Sequence, residues 1–169
     1  MNKLFLISGP CIVENETTPY LIAKTVKPIC DELGIEYIFK ASYRKANRTR
    51  VDSFTGIGDE AALQIIQGIG REFGVKTLTD IHESHEAAMV AAYVDVLQIP
   101  AFLCRQTALL QAAGETGKIV NIKKGQFVSP EAMKYPVEKV LATGNRNVWV
   151  CERGFTFGYE DLIVDATVI

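Results

Sequence analysis

Six short apolar runs punctuate the chain: Leu4–Ile7, Tyr37–Phe39, Thr77–Thr79, Val94–Ile99, Ile119–Ile122 and Val148–Cys151. Most are continuous in hydrophobicity rather than alternating, the pattern of strands covered on both faces in a parallel sheet. Between them, apolar positions recur at steps of three and four. Leu21, Ile22, Ile29 and Leu33 predict the inner face of a first helix, and Leu63, Ile66, Ile69 and Phe73 that of a second. Thr18-Pro19 and Ser129-Pro130 each pair a capping hydroxyl with a proline suited to the first helical turn. Gly34, Gly74, Gly117 and Gly144 stand where helices should end, just before the next apolar run. Pro28 and Pro136 fall inside predicted helices and should kink them or move their limits.

The elements read as a strand and helix repeated five times, followed by a sixth strand. Such alternation specifies an α/β fold with a parallel sheet, either doubly wound or closed as a (β/α)8 TIM barrel. Repeats of roughly 28 residues would bring eight units to roughly 230, near the usual barrel size. On that reading the 169 residues form a single domain (1–169), the N-terminal two-thirds of a barrel, incomplete at about six strands and five helices. An open sheet of the flavodoxin kind fits the length equally well, and the residues at the strand ends must decide.

Net charge is −2 and the pI is near 5.7, so no global basic field draws the chain to nucleic acid or to an anionic membrane. Anion binding must come from a local cluster. Cys11, Cys30, Cys104 and Cys151 are scattered without a Cys-x-x-Cys pair, and Leu4–Ile7 is too short for a secretory signal core. Reduced thiols and a cytoplasmic location are expected. No apolar run approaches the roughly 18 residues of a membrane span.

Active sites of parallel α/β folds lie at the carboxyl ends of the strands. Those positions hold Gly9-Pro10-Cys11, Lys40, Asp80, Gln98 to Ala101, Lys123-Lys124 and Glu152-Arg153. The loop after the second strand adds Arg44, Lys45, Asn47, Arg48 and Arg50, and the turn after the fourth adds Arg105. In a slightly acidic chain this predicts one positive rim. Cations directly after apolar strands are costly without anionic partners, and phosphate suits both lysine and arginine. No Gly-x-x-x-x-Gly-Lys-Ser/Thr loop and no Gly-x-Gly-x-x-Gly follows the first strand. Gly56-Ile57-Gly58 reads as a loop. His82 and His85 read as the polar start of a helix rather than a metal site.

Longer blocks at these same strand ends carry a resemblance. Gly9-Pro10-Cys11, Phe39-Lys40-Ala41-Ser42, Lys45-Ala46-Asn47-Arg48, Thr79-Asp80-Ile81-His82-Glu83, Gln98 through Thr107, Asn121 through Phe127 and Glu152-Arg153-Gly154 together resemble the 3-deoxy-D-manno-octulosonate 8-phosphate synthases. Lys-Ala-Asn-Arg favours these over the related heptulosonate 7-phosphate synthases, which usually carry Lys-Pro-Arg-Thr. The resemblance implies an eight-stranded barrel, usually a homo-tetramer. It implies condensation of phosphoenolpyruvate with D-arabinose 5-phosphate and water, releasing phosphate, on the way to a lipopolysaccharide sugar. It implies Lys40, Lys123 and Arg153 on phosphoenolpyruvate, with Gln98, Ala101, Phe102 and Gln126 lining its place. Asn47, Arg48 and Thr49 would take the arabinose phosphate, with Arg105 reaching from a neighbouring subunit. Lys45, Asn47 and Asp80 would stand at the reacting atoms. Cys11 marks the metal-requiring class, in which it is one ligand of a divalent ion.

The likeness runs to Asp165, after which Ala166-Thr167-Val168-Ile169 replaces the usual Phe-Arg. Thr49 stands for the commoner serine, and Thr55 for arginine. The family's remaining metal ligands come from its seventh and eighth strands and the loop after the eighth. The expectation is therefore a chain of synthase descent that lacks turnover alone. The competing readings are a non-catalytic phosphate-binding or subunit-interaction remnant, and a Schiff-base aldolase using a strand-end lysine.

Overall fold

The computed structural model describes residues 4–164 and 166; Asp165 and Thr167 to Ile169, where the resemblance changes, lie outside the described residues. Contacts group the chain into two compact units, one formed by 1–80 with 92–95, the other by 81–91 with 96–169.

The first unit holds β1 (Phe5–Ser8), α1 (Thr17–Glu32), β2 (Glu36–Lys40), α2 (Asp59–Phe73) and β3 (Lys76–Asp80). β1 pairs with β2 and β2 with β3, all parallel. In a doubly wound sheet of the flavodoxin kind β1 would lie between β2 and β3. The sequential order observed here is that of a (β/α)8 barrel. Tyr37, Ile38, Phe39 and Leu78 form the sheet's share of the core, and α2 covers it with Leu63, Ile66 and Ile69, all buried. Each such side chain contributes roughly 1.5–3 kcal/mol by leaving water.

α1 corrects its predicted face. Leu21, Ile29 and Leu33 are 53%, 52% and 65% exposed, while Pro19, Ala23 and Cys30 are buried. The small side chains let α1 approach α2 and β2, against which it packs. Its start is also capped differently from the prediction. Asn15 Oδ1 accepts from the Thr18 amide at 2.7 Å, so the cap lies upstream of Thr18 and Pro19 falls within the first turn.

The second unit holds α3 (Glu86–Ala91), β4 (Val96–Ile99), α4 (Thr107–Glu115), β5 (Ile119–Lys123), α5 (Lys134–Leu141) and β6 (Val148–Cys151). β4, β5 and β6 pair in sequence and in parallel. Its core is Val96, Leu97, Ile99, Leu110, Val120, Ile122 and Val140. Ser129 caps a 3-10 turn over Pro130–Met133 as predicted, and α5 follows with Pro136 in its first turn. Gly34, Gly74, Gly117 and Gly144 all carry positive φ at the ends of helices, the left-handed conformation that glycine adopts without steric cost.

Two expectations are corrected. β1 and β6 are not covered on both faces: Phe5, Leu6 and Val150 are exposed, and each strand pairs on one side only among the described residues. His82 and His85 precede α3 rather than starting it. Beyond the six parallel strands and five helices expected, β7 (Phe155–Phe157) and β8 (Asp161–Ile163) form an antiparallel hairpin, turning through Gly158 at φ 67°. A three-residue loop with a left-handed glycine is a common hairpin connection.

Candidate active site

In the first unit the polar chemistry gathers where β2 and β3 end. Lys40 closes β2 and Asp80 closes β3. Between them stands Ser42, fully buried. Lys40 Nζ donates to Ser42 Oγ at 3.0 Å and Lys45 Nζ donates to the same oxygen at 2.9 Å. Ser42 Oγ in turn donates to Asp80 Oδ1 at 2.7 Å. One donor and two acceptor sites are all that a hydroxyl has, and all three are used. Lys40 Nζ also lies 3.6 Å from Asp80 Oδ1. Two ammonium groups and one carboxylate thus share a single hydroxyl.

The backbone fixes this hub. The Val13 amide donates to Ser42 O at 3.0 Å and the Tyr43 amide to Thr79 Oγ1 at 3.2 Å. Gly9, in the loop after β1, comes so close that a Cβ there would lie 2.0 Å from Lys40 O. Only glycine lets the Gly9-Pro10-Cys11 loop cross the end of β2. Lys40 Nζ reaches the Cys11 carbonyl at 3.5 Å.

Beyond the hub the loop is less positive than its composition predicts. Arg44 pairs with Asp59 at 3.2 Å and Arg50 with Asp52 at 2.7 Å. That partner holds the Asp52 carboxyl below the usual carboxylate range and raises the Arg50 guanidinium. Arg48 Nε donates to Phe54 O within the same loop. Asn47, Arg48 and Thr49 are exposed and Lys45 is half-buried.

In the second unit Gln98 and Asn121 lie buried side by side on β4 and β5, with Asn121 Nδ2 donating to Gln98 Oε1 at 3.1 Å. Ala101 is buried at the head of a 3-10 turn, Ala101–Leu103, and Phe102 is exposed. Lys123 closes β5 and is half-buried, as is Gln126, while Arg153 is exposed just past β6. Arg105 stacks over the Phe127 ring at 5.4 Å beside a groove of about 360 Å³ that Tyr135, Pro136 and Lys139 also line.

Lys124 is corrected. It is no rim cation but wholly buried, with its ammonium directed at backbone carbonyls. Glu86, unremarked in the sequence, is buried too; its carboxylate accepts from the His82 amide at 2.7 Å and the Glu83 amide at 3.3 Å, closing the turn ahead of α3. Ser42 and Asn121 lie inside the motifs quoted above, but nothing in the sequence showed that they hold other side chains in place.

The Cys11 thiol is exposed. Among the described residues no group of three or more histidine, cysteine, aspartate or glutamate side chains could hold a metal ion. The described residues therefore do not by themselves make the divalent-ion centre that the resemblance implies. Among the same residues no helix is long and apolar enough to cross a membrane.

Parallel strands in chain order with helices between them define an incomplete (β/α)8 barrel, with charged side chains at the carboxyl ends of its strands. Residues 1–166 match the model of the DAHP synthetase I family, and the chain belongs to that family. It is 52% identical over 163 residues to a 2-dehydro-3-deoxyphosphooctonate aldolase of Koribacter versatilis, covering 96% of this chain and 59% of the relative. Proteins of the same name from Cyanothece sp. and Magnetococcus marinus are 53% and 51% identical over 160 residues, each covering 95% of this chain and 59% and 56% of the relatives. The chain thus spans somewhat more than half the length of the curated relatives it matches, and their names agree with the octulosonate-synthase resemblance.

Proposed function

We propose that this chain carries the substrate-binding strand ends of an enzyme that condenses phosphoenolpyruvate with D-arabinose 5-phosphate and water, forming 3-deoxy-D-manno-octulosonate 8-phosphate and phosphate. The observation that carries the reading is the Ser42 hub. Lys40 and Lys45 converge on one hydroxyl with Asp80 as the carboxylate in the cluster. Two ammonium groups held this close repel each other, and an anionic ligand relieves that cost. The names of the relatives support the same substrates.

Lys40 in the first unit, and Lys123 and Arg153 in the second, are the cations suited to the carboxylate and phosphate of phosphoenolpyruvate, and Gln98, Ala101, Phe102 and Gln126 are its further proposed contacts. Asn47, Arg48 and Thr49 take the sugar phosphate, with Arg105 reaching from a neighbouring copy in a homo-oligomer. Lys45 and Asp80 stand at the enol carbon and the sugar aldehyde. As the enol carbon attacks the aldehyde, the fixed cations balance charge already in place, and catalysis is by positioning and electrostatics. A divalent ion, where the whole protein completes its site around Cys11, would polarise the aldehyde or orient water.

Calorimetric titration with phosphoenolpyruvate, with and without a divalent metal, tests the binding, and phosphate release on adding D-arabinose 5-phosphate tests the chemistry. Binding is expected, whether or not phosphate is released. No binding under either condition contradicts the proposal. Borohydride trapping of an imine with a keto substrate would replace it with Schiff-base chemistry.

A further inference from the structure

We infer that Lys124 is a positioning residue whose buried ammonium clamps the loop after β5 to the loop after β6, and so fixes where Gln126 and Arg153 stand. Its link to substrate rests on the proposed function; the clamp does not. A lysine ammonium has three N–H donors and no acceptor. Lys124 Nζ meets three backbone carbonyls, Gly125 O at 3.2 Å, Val128 O at 3.4 Å and Gly154 O at 2.9 Å. Glu152 Oε1 supplies the opposite charge at 3.6 Å, and the Phe155 ring lies 3.9 Å from Nζ, within cation–π range.

The clamp brackets the proposed ligands. Gln126 lies between Gly125 and Val128, whose carbonyls both accept from the ammonium. Arg153 lies between Glu152, the counter-ion, and Gly154, the third acceptor. A second tie joins the loop after β5 to β7, where the Thr156 amide donates to Gln126 O at 3.2 Å. Gly154 is itself confined: its φ is +82° and a Cβ would lie 2.9 Å from Ile163 O. With its donors committed to backbone, Lys124 holds the loops and leaves the ligand to Lys123.

Hydrogen exchange and phosphoenolpyruvate titration on the full chain test this together. Lys124→Met, similar in length but uncharged, should speed exchange at the Val128 and Thr156 amides at least tenfold and weaken phosphoenolpyruvate at least tenfold, with the Ile66 amide of α2 unchanged. Unchanged exchange at Val128 and Thr156 overturns the clamp. Faster exchange there with unaltered affinity overturns the positioning role, which a structural anchor alone would not need. Should Lys124→Met not fold, Lys124→Arg takes its place. A planar guanidinium cannot serve three carbonyls converging on one point, so the same two amides should quicken, and unaltered exchange again overturns the clamp. Wild-type chain that fails to bind phosphoenolpyruvate would sink the proposed function, while the exchange experiment would still decide the clamp.

Discussion

Lys40 and Lys124 occupy equivalent places, each at or just past the carboxyl end of a barrel strand, yet their partners give them opposite roles. Lys40 keeps 17% of its side chain exposed and meets a hydroxyl and a carboxylate, with one main-chain carbonyl, that of Cys11, farther off at 3.5 Å. Lys124 keeps 1% and meets three main-chain carbonyls. Side-chain partners can rearrange around an incoming anion, whereas main-chain carbonyls move only with their loops. A strand-end lysine surrounded by side chains is therefore a candidate ligand contact, and one surrounded by carbonyls is part of the frame.

The largest effect that sharpens this contrast is on stability. Lys124→Met leaves Glu152 without its cation and three carbonyls without their donor, and should cost roughly 3–5 kcal/mol, the usual penalty for breaking a buried pair. Lys40→Met should cost less, because Lys45 still donates to Ser42 Oγ and the repulsion between the two ammonium groups is removed. Urea denaturation of the two variants side by side measures the difference, and equal losses would erase the distinction.

A middle effect belongs to Ser42. Ser42→Ala removes the acceptor of both lysines and the donor to Asp80, and should destabilise the chain by about 1–3 kcal/mol. It should weaken phosphoenolpyruvate binding as well, since Lys40 and Lys45 lose the oxygen that holds them together. Thermal melts and titration of the same preparation check both halves.

The smallest is a pH effect beneath the hub. Burial, with a minor contribution from Cys30, pushes the Tyr37 phenol up to about 12, and its Oη donates to Ser8 O at 3.1 Å. A raised folded-state value means the unfolded chain loses this proton first. Its stabilisation is complete below about pH 10 and is lost as pH rises toward 12. Tyr37→Phe should therefore flatten the fall in stability between those limits, and an unchanged slope in alkaline denaturation would show that Tyr37 does not cause it.

How far the sequence was legible depended on the range of each interaction. All six parallel strands were found within two residues of their limits, because each is a run of consecutive apolar positions such as Tyr37, Ile38 and Phe39, even where, as in β1 and β6, part of the run stays exposed. The α2 face was right because Leu63, Ile66 and Ile69 recur at helical spacing and pack on the sheet. The α1 face was wrong because hydrophobicity alone chose Leu21, Ile29 and Leu33, while close helix packing chose Ala23 and Cys30. The β7–β8 hairpin was missed, because its strands of three residues are too short to stand out as apolar runs. At the site, the motifs marked Lys40, Asp80 and Lys123. They could not separate Lys123 from Lys124, since which of two adjacent lysines turns inward depends on carbonyls up to 30 residues away. Likewise the pairing of Arg44 with Asp59 across the loop, which removes charge from the predicted rim, follows from folding and not from composition.

Central to the account is the proposal that the Ser42 hub, with Lys40 and Lys45 on one hydroxyl beside Asp80, receives phosphoenolpyruvate. Titration of phosphoenolpyruvate into Lys40→Ala tests this most directly. The account predicts at least a tenfold loss of affinity. Wild-type affinity in that variant would contradict it.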